Sequence, residues 1–400
     1  MSTLLSDVRV LDLTNVLAGP ICCYQFAQLG AEVIKVESPR DGDLARQLGA
    51  DPALNGRHMG ISFLAQNAGK KSVTINLKSE VGRETFLSLV DTADVVVENF
   101  RPGVMDRLGL GQAVLRARKP ALIYCAISGF GQDGPLRDNP AYDQIIQGMA
   151  GVMSVTGDTR TAPLRVGYPV ADTMGGITAA FAIAAALYRQ ARSGEGEFID
   201  VSMLEATLVS MGWNVSNYLI GGVEPTPMGN ENMTAAPSGA FRTGKGLLNI
   251  AANRQVQFEK LCDLLERPEL KSDARFAERE TRKANRAALT AELEKSLASR
   301  SAAEWAMACN RLGIPAGEVL TVPEALAQPQ VAERGFLKSF DSVPGLERPI
   351  QVSRAGFRLA SGDPAPDGPP PLLGQHNAEI LGPLLPAGAS LAAVSQGEGS

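Results

Sequence analysis

The stretch "VRVLDLTNVLAGPICCYQFAQLGAEVIKVE", Val8–Glu37, decides the fold class. Apolar and polar side chains alternate over Val8–Thr14 as in a strand, and alternate again over Glu32–Glu37. Between them, Pro20–Gly30 has apolar residues at helical spacing and ends on a glycine. A strand, a helix and a second strand in this order predict a βαβ unit with two parallel strands.

The same alternation continues through the first third of the chain. Strand patterns cover Lys71–Leu77, Asp94–Phe100 and Pro120–Phe130, and the helical pattern "SEVGRETFLSLVDTA" separates the first two. Strands that alternate with helices predict an α/β fold with a doubly wound, mostly parallel, Rossmann-like sheet. In such a sheet, ligands bind beyond the carboxyl ends of the strands.

Two segments without clear periodicity divide the chain into domains. The first, Gly221–Gly239, follows an alanine-rich helix, the strand "EFIDVSM" and another helix, and the second is Gly313–Phe336. We expect a large α/β domain over residues 1–220, to which 330–400 return, and a smaller α+β domain over 225–325. The last fifteen or so residues are expected to be mobile.

Composition excludes several classes of protein. The 400 residues carry a net charge of −5 with scattered lysines and arginines, so a nucleic-acid partner is not expected. The N-terminal segment carries an acid, Asp7, before any long apolar run, a pattern unlike that of a signal peptide. No run of ~18 uncharged apolar residues follows that could span a membrane. The sequence therefore predicts a cytoplasmic protein with no membrane partner.

Metal and nucleotide motifs are also missing. The five cysteines form no CxxC pair, and the two histidines, His58 and His376, are far apart. This pattern argues against a histidine-rich zinc site and a Ser-His-Asp hydrolase, and we expect no metal. "NAGKKS" lacks the first P-loop glycine, and the first strand is not followed by GxGxxG. An adenine nucleotide would have to be held differently.

One acid has an unusual position. In "RVGYPVADTMGGITAAFAIAAALYRQ", Arg165–Gln190, Asp172 lies between an apolar run and a glycine pair that opens the long helix. An aspartate there can cap the helix, can lie in a surface turn, or can do chemistry. The residues alone leave these three roles open.

Several segments together resemble the family III CoA-transferases, the group that includes formyl-CoA transferase and carnitine CoA-transferase. They occur in the family's order over nearly the whole chain. The matching segments are "VLDLTNVLAGPICCYQFAQLGAEVIKVE", "KKSVTINLKSEVGRETFLSLVDTADVVVENFRPGVMDRLGL", "SGFGQDGP", "AYDQIIQGMAG", "LRVGYPVADTMGG", "SGEGEFIDVSMLEA" and "GIPAGEVLTVPEAL".

The resemblance implies that Asp172 is the catalytic nucleophile. It would attack an acyl-CoA to give an aspartyl-acyl anhydride, and then form an aspartyl-CoA thioester that the acceptor carboxylate attacks. No metal or redox cofactor is implied. We expect the positive end of the helix dipole to keep Asp172 ionised, and Gly175 and Gly176 to let the backbone approach the ligand closely.

The resemblance also implies binding residues. Tyr142 and Asn232 match positions that contact the substrate, and Arg40 is expected to replace a basic contact that is Ser38 here. The implied contacts to CoA are Leu17, Ala18, Arg40, Ile75, Lys78, Asn99, Phe100, Arg107, Gly129 and Phe130.

Substrate and assembly follow from the same resemblance. The expected donor is succinyl-CoA and the expected acceptor a small carboxylic or dicarboxylic acid. The expected partner is a second copy, in an interlocked homodimer with Asp172 near the interface. Two alternatives stay open: an α-methylacyl-CoA racemase, whose histidine would be replaced by Tyr142, and a non-catalytic CoA-binding protein.

Overall fold

The computed structural model describes residues 4–395, which form two units. The larger unit comprises Met1–Val152, Arg165–Val223 and Ala332–Ser400 of the chain. The smaller unit comprises Glu224–Val331 together with the short segment Met153–Leu164.

Six parallel strands form the main sheet of the larger unit. They are β1 (Arg9–Asp12), β2 (Glu32–Glu37), β3 (Lys71–Thr74), β4 (Val95–Glu98), β5 (Ile123–Ser128) and β6 (Phe198–Ser202). Their order in the sheet is β3-β2-β1-β4-β5-β6, and every neighbouring pair is parallel. The predicted doubly wound α/β fold is therefore confirmed.

The sequence of β1 shows why both faces of this sheet are covered. Val10 packs in one apolar core and its neighbour Leu11 in the other, because successive side chains of a strand point to opposite faces. Leu11 pairs with Ile34 of β2 on one side and with Val96 of β4 on the other. Buried strands of this kind are rich in branched apolar residues.

Helices cover both faces. Those of the first 223 residues are α1 (Ala18–Gln28), α2 (Pro52–Gly56), α3 (Ile61–Leu64), α4 (Glu80–Val90), α5 (Val104–Arg107), α6 (Gln112–Arg118), α7 (Asp143–Met149), α8 (Val152–Val155), α9 (Val170–Ser193), α10 (Met203–Ser210) and α11 (Trp213–Gly221). A 3₁₀ turn covers Leu44–Gln47. Helices α1 and α9 pack in the Val10 core, and α4 and α6 in the Leu11 core.

The smaller unit has its own apolar core and an antiparallel sheet. Its strands are β7 (Ser238–Arg242), β8 (Leu247–Ala251) and β9 (Ala316–Glu318), in the order β7-β8-β9. Its helices are α12 (Gln255–Leu264), α13 (Arg279–Ala284), α14 (Arg286–Leu297), α15 (Ala302–Arg311) and α16 (Val322–Leu326), with a 3₁₀ turn at Pro268–Lys271. Gly313–Phe336 therefore contains a strand and short helices, so its expected lack of periodic structure was wrong.

The last part of the chain returns to the larger unit. It contains α17 (Pro329–Glu333), the antiparallel pair β10 (Leu337–Phe340) and β11 (Ile350–Ser353), α18 (Asn377–Leu381), a 3₁₀ turn at Gly382–Leu384, and α19 (Leu391–Ser395). Leu381 and Val394 are fully buried in the Leu11 core. The expectation of a mobile tail is thus partly wrong, because Leu391 and Val394 pack in this core; residues 396–400 lie outside the described part.

The same returning segment covers the free edge of β3. The backbone N–H of His376 donates to the carbonyl of Ser72 (2.9 Å), and the N–H of Ser72 donates to Nδ1 of His376 (3.0 Å). The N–H of Thr74 donates to Oδ1 of Asn377 (2.8 Å). An edge strand paired in this way no longer offers free backbone groups to another chain.

Candidate active site

The strand order reverses between β1 and β4, which is where a ligand is expected in a sheet of this type. The loops that follow these two strands are joined there by a side chain. The N–H of Asn15 donates to Oδ1 of Asn99 (2.7 Å), and Nδ2 of Asn99 donates to the carbonyl of Asn15 (2.9 Å). The predicted CoA contact Asn99 therefore uses its amide to fix the loop after β1.

A cavity of about 330 Å³ opens beside this crossing, and we call it the Asp172 cavity. It gathers the predicted site residues Leu17, Ala18, Asn99, Phe100, Gly129, Tyr142 and Asp172. Its other lining residues are Asn15, Val16, Leu44, Arg101, Pro102, Ile127, Ser128, Arg137, Asn139, Pro140, Ala141 and Met203.

Asp172 lies in the first turn of α9, but it is not the cap of that helix. The residue preceding the helix is Pro169, and the capping side chain comes from α7 instead. Oδ1 of the buried Asp143 accepts hydrogen bonds from the N–H groups of Ala171 (2.8 Å) and Asp172 (3.4 Å). The capping role considered for Asp172 was wrong, and its carboxylate is left for another purpose.

The carboxylate of Asp172 is in an unfavourable place for a charge. Among residues 4–395, no hydrogen bond to its side-chain oxygens is present, and no cation pairs with it. Burial, and secondly the negative charge of Asp143, raise the pKa of Asp172 from 3.8 to about 7. The expected stabilisation by the helix dipole is therefore outweighed, and the acid is half ionised near neutral pH.

Gly175 and Gly176 bring helices together rather than ligand and backbone, so that expectation was wrong. A Cβ on Gly176 would lie 2.2 Å from Cγ2 of Ile21 and 2.4 Å from the carbonyl oxygen of Ala18, both in α1. A Cβ on Gly175 would lie 2.9 Å from Cγ of Met203 in α10. Gly176 thus sets the distance between the helix of Asp172 and the start of α1, and Gly175 the distance to the start of α10.

The start of α1 supplies hydrogen-bond donors to the cavity. Leu17 and Ala18 line it, and within the described residues their backbone N–H groups have no acceptor. The first N–H groups of a helix lack partners inside the helix and carry the positive end of its dipole. Donors of this kind can stabilise an oxyanion that forms near Asp172.

A second cavity, of about 270 Å³, adjoins the first, since Asn15 and Phe100 line both. It contains the predicted residues Ile75, Lys78 and Phe100, so we call it the Lys78 cavity. Its remaining lining residues are Leu13, Thr14, Asn15, Val36, Glu37, Ser38, Pro39, Gly42, Asn76, Leu77, Val104 and Leu108. An aromatic ring and a lysine at its walls suit a base and a phosphate.

Three predicted CoA contacts line neither cavity. The side chain of Arg40 is 90% exposed and lies 3.8 Å from its neighbour Asp41. Arg107 is exposed at the end of α5, and Phe130 is partly buried against the Val10 core. Their roles stay predictions.

The two predicted substrate contacts differ in position. Tyr142 lines the Asp172 cavity and is 67% exposed, just before the first residue of α7. Asn232 belongs to the smaller unit, where its Oδ1 accepts hydrogen bonds from the N–H (2.8 Å) and hydroxyl (2.7 Å) of Thr234. Asn232 thus stabilises a turn, and its contact with substrate stays a prediction.

Neither histidine lines the Asp172 cavity. His58 lies 3.3 Å from the carbonyl of Asp41, and His376 accepts a bond from Ser72 at the edge of β3. A racemase-type pair of histidine and aspartate is therefore not assembled at Asp172.

Two arginines of this cavity, Arg101 and Arg137, were missed. Arg101 follows directly on "ENF", and Arg137 lies five residues before Tyr142. Both stand beside motifs already used, but only the folded chain shows that they line the same cavity as Asp172. Val16, which also lines this cavity, was missed as well, because its unusual feature is a positive φ that its residue type does not predict.

Comparison with known proteins agrees with this arrangement. The family described as CoA-transferase family III matches residues 5–377. An acetyl-CoA:oxalate CoA-transferase of Acetobacter aceti is 41% identical over 345 residues, 86% of this chain and 88% of that protein. A succinate–glutarate CoA-transferase of Agrobacterium fabrum is 36% identical over 388 residues, 95% of each chain. The crystal structure of a CAIB/BAIF family protein from Brucella suis is 37% identical, with a TM-score of 0.84 over 96% of this chain and 100% of that chain.

Proposed function

The chain belongs to CoA-transferase family III, and from this premise we propose that Asp172 moves CoA from succinyl-CoA to a small dicarboxylic acid. One observation carries the proposal. The carboxylate of Asp172, without a hydrogen bond among the described residues, shares a cavity with the free N–H groups of Leu17 and Ala18. The proposed nucleophile thus shares a cavity with backbone donors that can stabilise the oxyanion its attack creates.

The donor half of the reaction has two steps. The ionised carboxylate of Asp172 attacks the thioester carbonyl, and the tetrahedral oxyanion collapses to expel CoA thiolate and leave a mixed anhydride. The thiolate then attacks the aspartyl carbonyl of this anhydride, forming aspartyl-CoA and releasing succinate. The Lys78 cavity, next to the Asp172 cavity, would hold the nucleotide of CoA while its sulfur moves.

The acceptor half repeats these steps in reverse. The carboxylate of the acceptor attacks the aspartyl thioester, expels the thiolate and forms a second mixed anhydride. The thiolate attacks the acceptor carbonyl, and Asp172 leaves as a carboxylate. In each step one anion attacks and one anion leaves. The steps as written therefore involve no net proton transfer, no metal and no change of oxidation state.

The choice of substrates is supported by the relatives. The protein of Agrobacterium fabrum is named for succinate and glutarate, and that of Acetobacter aceti for acetyl-CoA and oxalate. Three of these four names refer to dicarboxylic acids. Arg101 and Arg137 would give the Asp172 cavity the positive charge that such acceptors need.

Trapping the intermediate tests the proposal. Wild-type protein is incubated with succinyl-CoA and hydroxylamine, and the peptide containing Asp172 is examined by mass spectrometry. We expect an aspartyl hydroxamate at Asp172, and no transfer by the Asp172→Asn variant. Asp94→Asn, which removes a carboxyl at the amino end of β4 that lines neither cavity, is the matched control. Exchange of the C2 proton of 2-methylacyl-CoA in D₂O without a hydroxamate would instead favour a racemase.

We also propose that the protein works as a homodimer, interlocked as the resemblance implies. Large apolar side chains of α9, α10 and α11 are uncovered in the single chain, with 76% of Phe181 and 87% of Ile220 exposed. Large apolar side chains exposed on several helices are typical of an interface. By length and composition alone α9 could also span a membrane, a criterion that core helices of soluble proteins meet as well. Sedimentation at nanomolar concentration tests the dimer, and an active 42 kDa monomer would refute it.

A further inference from the structure

The loop between β1 and α1 contains a strained residue. Val16 has a φ of +67°, in the left-handed region that β-branched residues rarely adopt. Strain of this kind persists only where the surrounding structure enforces it, and it is common at functional sites. Val16 lines the Asp172 cavity, directly before the two residues that supply free N–H groups.

Three side chains hold this loop: Lys35 of β2, Asp43 at the start of the 3₁₀ turn, and Asn99 in the loop after β4. The N–H of Val16 donates to Oδ1 of Asp43 (2.9 Å), and Nζ of Lys35 donates to the carbonyl of Thr14 (2.8 Å). The double hydrogen bond with Asn99 fixes Asn15, which lies between Thr14 and Val16. Three consecutive residues are therefore held by their backbone groups.

The two charged side chains in this set are completely buried. Lys35 is 0% and Asp43 1% exposed, and Nζ of Lys35 lies 2.9 Å from Oδ2 of Asp43. A second buried pair, Lys70 and Asp12 (2.8 Å), is joined to the first, because Nζ of Lys35 also lies 3.8 Å from Oδ1 of Asp12. Buried ion pairs are seldom the most stable solution for a core, so their retention calls for another explanation.

Close packing leaves the loop little freedom to relax. A Cβ on Gly19 would lie 2.2 Å from the side chain of Thr14, so the first turn of α1 rests directly on the loop. A change of φ at Val16 would therefore redirect the N–H groups of Leu17 and Ala18.

We propose that the buried pair of Lys35 and Asp43 is a positioning device, which holds Val16 in the left-handed conformation and so aims the N–H groups of Leu17 and Ala18 at the reacting carbonyl. This inference rests on the proposed transferase function. Asp43 and Lys35 act through the loop, and neither lines the Asp172 cavity.

Three variants test this role. Asp43→Ala removes the acceptor for the N–H of Val16, and we expect kcat to fall at least tenfold while KM for acyl-CoA changes less than threefold. Asp43→Asn keeps an acceptor oxygen in place and should retain kcat within about threefold. Since glycine adopts positive φ readily, Asp43→Ala combined with Val16→Gly should recover part of the lost kcat, at least threefold. A residue with a merely structural role would not be rescued by that second change.

Controls separate folding from positioning. Thr85→Val in α4, which removes a buried bond to the carbonyl of Val81, should leave kcat unchanged. If Asp43→Ala does not fold, Lys35→Met/Asp43→Ala, which leaves no unpaired charge, takes its place. A folded variant with wild-type kcat, or no recovery with Val16→Gly, overturns the inference.

Hydrogen exchange gives a readout that does not depend on the reaction. Amides of the peptide that spans 13–19 should exchange at least tenfold faster in Asp43→Ala than in wild type, and unchanged exchange overturns the positioning role. If wild-type protein transfers no CoA at all, the proposed function fails, while the exchange result still decides whether the ion pair fixes the loop.

Discussion

Replacing Asp172 by Asn is expected to make the protein more stable at pH 8, although it removes the proposed nucleophile. The reason is the position of the carboxyl, which is largely buried, faces Asp143 and has no cation beside it in the described part of the chain. Asparagine has the same size and no charge. Active sites commonly carry a cost of this kind, because function requires a group that folding alone would not choose.

The size of the effect follows from the pKa of Asp172, which is 3.8 ordinarily and about 7 in the folded protein. Well below pH 3.8 the group is protonated in both states and contributes nothing. As pH rises from 4 to 7, the unfolded chain releases the proton while the folded protein retains it, so stability falls. We expect the cost to reach about 4 kcal/mol at pH 8 and to be about 2 kcal/mol at pH 5.

Urea unfolding of wild type and Asp172→Asn at pH 5 and pH 8 measures this directly. The variant should be more stable at both values, and its advantage should grow with pH. Asp158→Asn is the control, because the pKa of Asp158 is shifted in the opposite direction: hydrogen bonds from Arg160 and Thr161 lower it. Removing the carboxylate of Asp158 should therefore not stabilise the protein at pH 8. An Asp172→Asn variant that is less stable than wild type at pH 8 would refute the reasoning.

The remaining predictions concern activity and packing. Because the proposed nucleophile Asp172 must be ionised to attack, kcat/KM for acyl-CoA should rise about tenfold from pH 6 to pH 8, and Asp143→Asn should shift this rise to lower pH; an unshifted profile would exclude an influence of Asp143. Gly176→Ala should cost about 1–3 kcal/mol in unfolding and reduce kcat, whereas Gly56→Ala, where nothing lies within 4 Å, should do neither. Lys78→Gln or Arg107→Gln should raise KM for every acyl-CoA and leave KM for the acceptor unchanged; a residue whose replacement leaves both constants at wild-type values does not contact CoA.

The parallel sheet could be predicted from the sequence because local patterns are sufficient for it. Val8–Glu37 specifies a strand, a helix and a strand through spacing alone, and β2 has the predicted limits Glu32–Glu37. Gly30, which the sequence predicted as the end of the helix, follows shortly after Gln28, the last residue of α1, and has a positive φ of 92°. These signals depend on neighbours in the chain and survive without knowledge of the tertiary structure.

The electrostatics of the site could not be predicted in the same way. Resemblance singled out Asp172, but its raised pKa depends on Asp143, which is 29 residues away and caps α9 from a different helix. Likewise, Asn99 matched a ligand contact, while the folded chain uses its amide to hold Asn15. Such roles arise from residues that meet only after folding, so no local pattern records them.

The cover on the edge of β3 has a consequence for synthesis on the ribosome. Ser72 is paired with His376, which is 304 residues later in the chain. At a translation rate of 5–20 residues per second, about 15–60 s pass between the synthesis of β3 and the synthesis of the segment that covers its edge. During that time the smaller unit, whose main segment Glu224–Val331 is continuous, has already emerged. Nascent chains therefore carry an open sheet edge late into translation, and this is the interval in which a chaperone would protect them.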